Sequence, residues 1–214
     1  MSRWWPWRRD AVEPDDPRWV VLDVETSGLD PERDQLLAIA AIALRVDWSQ
    51  QRLAMAPGDS FEVVLRQQAV VSTRDNILLH GIGAQRQREG MAPEAALAAF
   101  AQFAGASPLL AFHAAFDQAL MGRFARAHLG AALPNPWVDI EQLCAVTHEQ
   151  VRARSLDEWL AHFSITCAAR HQAAVDTQAE CELLQRIWPA VARQCRHWRD
   201  VQRLAARQRW IRRA

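Results

Sequence analysis

The stretch "RWVVLDVETSGLD", residues 18–30, sets four consecutive apolar residues, Trp19 to Leu22, before two acids, Asp23 and Glu25, and then a Ser-Gly turn. A short apolar run bounded by turn residues reads as a strand buried on both faces. Side chains at i and i+2 of a strand share a face, so both carboxylates project together where the chain leaves the sheet. Two like charges there repel each other, and either cations from elsewhere in the fold or a metal ion must balance them.

The neighbouring segments give this strand its context. "QLLAIAAIALRVD" (35–47) and "SFEVVLR" (60–66) are further strands with short connections, which predicts an antiparallel meander. A helix over 90–105, with Pro93 near its start and Gly105 at its end, leads into a short buried strand at 108–112. A helix over 116–130 and a strand over 136–140 follow. Strands in a meander that then alternate with helices predict an α/β domain built on a mixed five-stranded sheet flanked by helices. Helices are expected at 140–149 and 155–163, the second opened by a capping box of Ser155 and Glu158. From about 172 onward the chain reads as one long helix or two, with Pro189 as the candidate break.

With 214 residues, half of them hydrophobic, the chain can bury one sizeable core with an appendage. The expected division is an N-terminal arm at 1–17, a domain at 18–190 and a basic amphipathic helix at 191–214. Formal charge is zero, but it is unevenly spread: from Arg193 onward there are eight Arg and one Asp, a net +7, which leaves −7 on residues 1–192. All 25 basic residues are Arg and Tyr is absent, which reflects base composition rather than a physical demand. In the tail, Val191, Cys195, Trp198, Val201, Ala205 and Ile211 recur near helical spacing. Three roles suit such a helix: docking on the domain with a solvated Arg face, tracking nucleic-acid phosphates, or binding a membrane surface or partner helix. Four scattered cysteines without a C-x-x-C pair argue against zinc and for a reducing compartment. No secretory h-region and no apolar run of membrane-spanning length occur, so the expected location is the cytoplasm.

Acids gather at three places: Asp23 with Glu25, Asp117 in "AFHAAFD", and Asp176 in "HQAAVD". Clustering four carboxylates pushes at least one pKa far upward unless hard divalent cations neutralise them, and Mg²⁺ or Mn²⁺ prefers such oxygen donors. His171 lies five residues before Asp176, roughly 140° apart on a helix, so it belongs on the loop before a helix that carries Asp176 near its start. A loop histidine is suited to general-base work. Asp139 is expected to cap the helix after it, and His113 to be packed or hydrogen-bonded.

These three stretches, in this order and spacing across roughly residues 18–186, resemble the motifs of the DEDDh group of DnaQ-like 3′–5′ exonucleases. That group includes the proofreading subunit of bacterial replicative polymerases and ribonuclease T. The resemblance implies a ribonuclease H-like sheet and two divalent ions, Mg²⁺ or Mn²⁺. Asp23 would bridge both, Glu25 and Asp176 would complete one site, and Asp117 would support the other mainly through water. His171 would deprotonate the attacking water, and a nucleoside 5′-monophosphate would leave. Thr26, Ser27, Gly28 and Leu29 would hold the terminal nucleotide, with His80, Ile82 and Phe116 as further substrate contacts and Ile82 as a wedge against the last base. Phe112 and His113 stand where the family usually has His-Asn, a departure that touches the grip on the substrate strand rather than the metal ligands. The implied substrate is a single-stranded or frayed 3′ end, DNA over RNA, with a polymerase as a possible partner. The rivals are RNA 3′-end trimming and a non-catalytic nucleic-acid-binding module.

Overall fold

The computed structural model describes residues 17–69, 71–167 and 171–210. Its centre is a five-stranded sheet of order β3-β2-β1-β4-β5. β1 (Arg18–Thr26), β2 (Leu36–Asp47) and β3 (Arg52–Val64) form the antiparallel meander; β4 (Leu109–Ala111) and β5 (Trp137–Asp139) run parallel to β1. Around the sheet lie α1 (Arg74–His80), α2 (Ala84–Glu89), α3 (Pro93–Ala104), α4 (Ala115–Leu129), α5 (Ile140–Thr147), α6 (Leu156–His162), α7 (Ala173–Ala192) and α8 (Trp198–Ala206), followed by a 3₁₀ turn at Arg207–Trp210. The α/β class with a mixed five-stranded sheet is the one the sequence predicts.

β1 is apolar throughout its first half because both of its faces are covered. Trp19 and Val21 point into a cluster with Leu44, Leu110, Leu183 and Ile187. Val20, Leu22 and Val24 point into a second cluster with Ile39, Phe100, Leu120 and Met121. The same alternation puts Asp23 and Glu25 on the α7 side, opposite Ala40 and Ala38 of β2. Small alanines there leave room in front of the two acids.

The C-terminal helix is part of this core. Trp19 meets the rings of Trp48, Trp188 and Trp198 at centroid distances of 5.8, 5.6 and 4.9 Å, in edge-to-face geometry. Trp198, Val201, Leu204 and Ala205 of α8 are buried, while Arg193, Arg196, Arg199, Arg203, Arg207 and Arg209 are exposed. In place of one helix over 191–214, the described tail is the end of α7, a turn, and α8 docked on the core with exposed Arg side chains on its outer face. Ile211 and the arm at 1–16 lie outside the described residues.

Three boundaries differ from the sequence reading. β3 starts at Arg52 rather than Ser60, running through Pro57 and Gly58, which an edge strand tolerates. α1 and α2 were not anticipated; each is a turn or two long, and α1 is capped by Thr73, whose side chain accepts from Asn76 N–H. Pro189 neither starts nor breaks a helix, because α7 continues to Ala192 with Trp188, Val191 and Ala192 held in the core. The capping box at α6 is present, with Ser155 N–H donating to Glu158 at 3.0 Å and Glu158 N–H to Ser155 at 3.3 Å.

Removing the shared ring should be severe: Trp19→Ala is expected to lower unfolding free energy by about 3–5 kcal/mol in a denaturant titration. Truncation after residue 192 should lower the melting temperature as well, since it strips Trp198, Val201 and Leu204 from the core. Ser155→Ala, by contrast, should cost about 1 kcal/mol.

Candidate active site

The acids of the three motifs arrive from three elements. Asp23 and Glu25 come from the end of β1, where the register shifts between Glu25 and Thr26. Asp117 comes from the first turn of α4 and Asp176 from the first turn of α7. Asp117 and Asp176 are both buried. The backbone N–H groups of Asp117 itself and of Val24 favour the charged form of its carboxyl. His171 lies before α7, as the spacing requires, at φ 64°, and its N–H donates to Asp176 Oδ2 at 3.0 Å. His171 itself is exposed.

A fifth acid joins them. Glu180, one turn beyond Asp176 on α7, is only 2 % exposed, and its Oε2 accepts Phe112 N–H at 3.1 Å. Burial raises its carboxyl well above the ordinary glutamate value, and the charges of Asp23, Asp117 and Asp176 raise it further. Glu180 thus lies within electrostatic reach of acids from all three motifs. Burial likewise pushes Asp117 up to about 8, with Asp139 adding to the rise against those two N–H groups. Glu180 was missed in the sequence; its four-residue offset from Asp176 on a helix is the signal that places both on one face.

The donors are carboxylate oxygens, the chemistry that suits a hard divalent cation, which would offset both the burial that raises Asp117 and Glu180 and the repulsion added at Glu180. Among the described residues, no three His, Cys, Asp or Glu side chains form a ready-made metal cage. Asp23, Glu25, Asp117 and Asp176 are the residues that could hold the ion.

The loop beyond β1 is rigidly tied. Ser27 Oγ donates to Asp34 at 3.0 Å and accepts Gln35 N–H at 2.8 Å, while Thr26 Oγ1 donates to Gly28 O. A Cβ on Gly28 would lie 2.5 Å from an Asp34 carboxylate oxygen, so a side chain there would have to displace the Asp34 carboxylate that Ser27 holds. Arg123 of α4 donates to the carbonyls of Pro31, at 2.7 Å, and Asp34. Asn76 of α1 donates to Thr26 O at 3.0 Å, which brings α1 alongside.

The other expected substrate contacts are distributed unevenly. Leu29 is 92 % exposed at the loop tip. Phe116 is half-buried against the α3–α4 cluster. Ile82, read as a wedge, is 3 % exposed and packs on Leu37, Ala38 and Val64; its side chain presents no surface to a base in this arrangement. The left-handed Gly81 turns the chain inward, and Ile82 N–H donates to Nδ1 of the buried His80 at 3.0 Å. The exposed apolar side chains on α1 are Leu78 and Leu79 instead. Asp139 caps α5 as expected, accepting Glu141 N–H at 2.9 Å, and it also accepts His113 N–H at 3.1 Å. Among the described residues, no helix is long and apolar enough to cross a membrane.

Known proteins resemble this chain. The chain is 26 % identical over 165 residues to the PolC-type DNA polymerase III of Caldanaerobacter subterraneus and 24 % over 173 residues to that of Latilactobacillus sakei, covering 77 % and 79 % of this chain. It spans about a tenth of those polymerases, 11 % in each case. E. coli exonuclease I in complex with a dA16 oligonucleotide superposes with TM-score 0.66 at 14 % identity, over 84 % of this chain and 44 % of that one. Exonuclease I of Methylocaldum szegediense gives 0.64 at 16 % identity, over 83 % and 43 %. At such identities the likeness shows the ribonuclease H-like fold. The family model RNase_T, described as exonuclease, matches residues 20–184, from the start of β1 into α7 and across all three acidic motifs, so the chain belongs to this exonuclease family, the DnaQ-like group.

Proposed function

We propose that the protein is a metal-dependent 3′–5′ exonuclease that releases nucleoside 5′-monophosphates from single-stranded or frayed ends, with DNA as the preferred polymer. The observation that carries this reading is that Glu180, one turn from Asp176 on α7, accepts Phe112 N–H of the second motif at 3.1 Å while His171 N–H donates to Asp176 at 3.0 Å, which joins the second and third motifs beside the end of β1. The exonuclease I relatives bound to dA16 and dT13 oligonucleotides support single-stranded DNA as substrate. The PolC-type relatives support a polymerase as the partner.

Two divalent ions, Mg²⁺ or Mn²⁺, would supply Lewis-acid stabilisation of the charge that develops at the scissile phosphate. The chain's own contribution is placement. In this reading Asp23 would serve both ions, Glu25 and Asp176 would complete one site, and Asp117 would support the other. His171 would take the proton of the attacking water, and its backbone bond to Asp176 ties the base to the acid cluster. The tied loop of Thr26, Ser27, Gly28 and Leu29 would seat the terminal nucleotide, with the exposed Leu29 against its base. RNA 3′-end trimming is the second reading, because selection at the 2′-hydroxyl depends on pocket geometry that acids alone do not set.

The test is degradation of end-labelled DNA and RNA oligonucleotides with Mg²⁺ or Mn²⁺, with and without EDTA. Asp23→Ala should abolish hydrolysis with the fold intact; full residual activity in that variant refutes the reading. His171→Ala should retain some turnover, with a loss of about 10²–10⁴-fold, the range of a general base.

Metal dependence should also appear in stability. Between the unfolded carboxylate value near about 4 and the folded value of about 8, Asp117 holds a proton that the unfolded chain has lost. Its contribution to metal-free stability therefore declines as pH rises through that window. Melting temperatures with EDTA should fall from about pH 5 to pH 8, and Mn²⁺ should raise them more at the higher pH; an equal effect at both would count against the assignment.

A further inference from the structure

We propose that Glu180 is a positioning residue: together with Asp139 it clamps the turn between β4 and α4 and thereby sets where Asp117 stands. The inference rests on the proposed role of Asp117 as a metal-holding acid.

The turn needs an external hold. β4 is three residues long, so little ladder precedes it. His113, a non-glycine residue, takes φ 59° in the left-handed region. α4 then begins at Ala115 behind Ala114, with no side-chain cap. Strain and an uncapped helix start leave the position of the first turn poorly fixed by local forces alone.

Two carboxylates from distant elements supply what is missing. Phe112 N–H donates to Glu180 Oε2 at 3.1 Å across 68 residues of sequence, and His113 N–H donates to Asp139 Oδ1 at 3.1 Å across 26. Consecutive amides are thus gripped from α7 on one side and from the β5–α5 junction on the other. Phe116 N–H returns to His113 O at 3.1 Å, so the clamped residue is bonded to the turn that carries Asp117. Since Glu180 is one turn from Asp176, a single helix face holds the third motif's acid and fixes the second motif's. Phe112 and His113 are the two residues that depart from the usual family pattern, and their amides are the clamped ones.

The experiment uses the full chain, with Mn²⁺ alone as the calorimetric probe and amide hydrogen exchange at Phe112 as a metal-free readout. Glu180→Ala should weaken Mn²⁺ binding by about tenfold or more, the range for losing a partner that orients a ligand. Exchange at Phe112 should rise about tenfold or more with it. Glu180→Gln keeps an oxygen for the same N–H and should stay within about threefold of the unsubstituted chain in both. In an Asp117→Asn background, Glu180→Ala should add no further loss of Mn²⁺ affinity. Should the alanine variant fail to fold, Glu180→Met removes the acceptor at similar volume. Unchanged Mn²⁺ affinity in Glu180→Ala, or Glu180→Gln as damaging as alanine, overturns the proposal. If the unsubstituted chain takes up no Mn²⁺, the metal reading of Asp117 fails instead, and unchanged exchange at Phe112 in Glu180→Ala then overturns the clamp by itself.

Discussion

The burial of Asp117, Asp176 and Glu180, with repulsion among neighbouring acids added to it, is the condition that the rest of the molecule is arranged to withstand. Asp23, Asp117, Asp176 and Glu180 come from β1, α4 and α7, and each would relax the strain by moving away from the others. Single amide hydrogen bonds hold Asp176 and Glu180, and the packing of the whole domain resists the rest of that movement. β1 is sealed on both faces, α4 packs against it through Leu120 and Met121, and α7 lies across the sheet with much of its length in the core. A rigid apolar frame of this kind can hold like charges together because displacing any one element would open cavities in a close-packed interior.

The two sides of the sheet carry different duties. One cluster, with α3 and α4 against β1, positions the turn that bears Asp117 and anchors Arg123, whose guanidinium grips the loop after β1. The other, with α5, α7 and α8, positions Asp176 and Glu180. Because Asp23 and Glu25 follow the strand's alternation onto the α7 side, one residue of slippage in β1 would turn both acids into the opposite cluster. Register is guarded by Trp19, whose ring meets Trp48, Trp188 and Trp198 only on its present face.

Much of this was legible in the sequence. The apolar run ending in alternate acids announces a two-sided strand with a polar mouth, and the spacing of His171 to Asp176 places a loop and then a helix start. Ser155 and Glu158 predict their own reciprocal bonds. What escaped detection shares a physical cause: it is decided by tertiary contact. Pro57 and Gly58 look like a turn until β3 is known to be an edge. Pro189 looks like a break until Trp188 and Val191 are seen to be locked down. Ile82 looks available for a substrate until the left-handed Gly81 turns it inward. Glu180 looks like one more surface acid of a long helix, since no local pattern says which helix face meets β1.

The contact of Trp19 with three other indoles has a spectroscopic corollary. Aromatic rings held edge-on at about 5–6 Å couple their electronic transitions, so this cluster should dominate the near-ultraviolet dichroism of the protein. Because one ring belongs to α8, one to α7 and one to the turn after β2, that signal reports the seating of the terminal helix independently of the far-ultraviolet signature of the sheet. The molecule carries its own optical gauge of whether the layer behind the acids is closed.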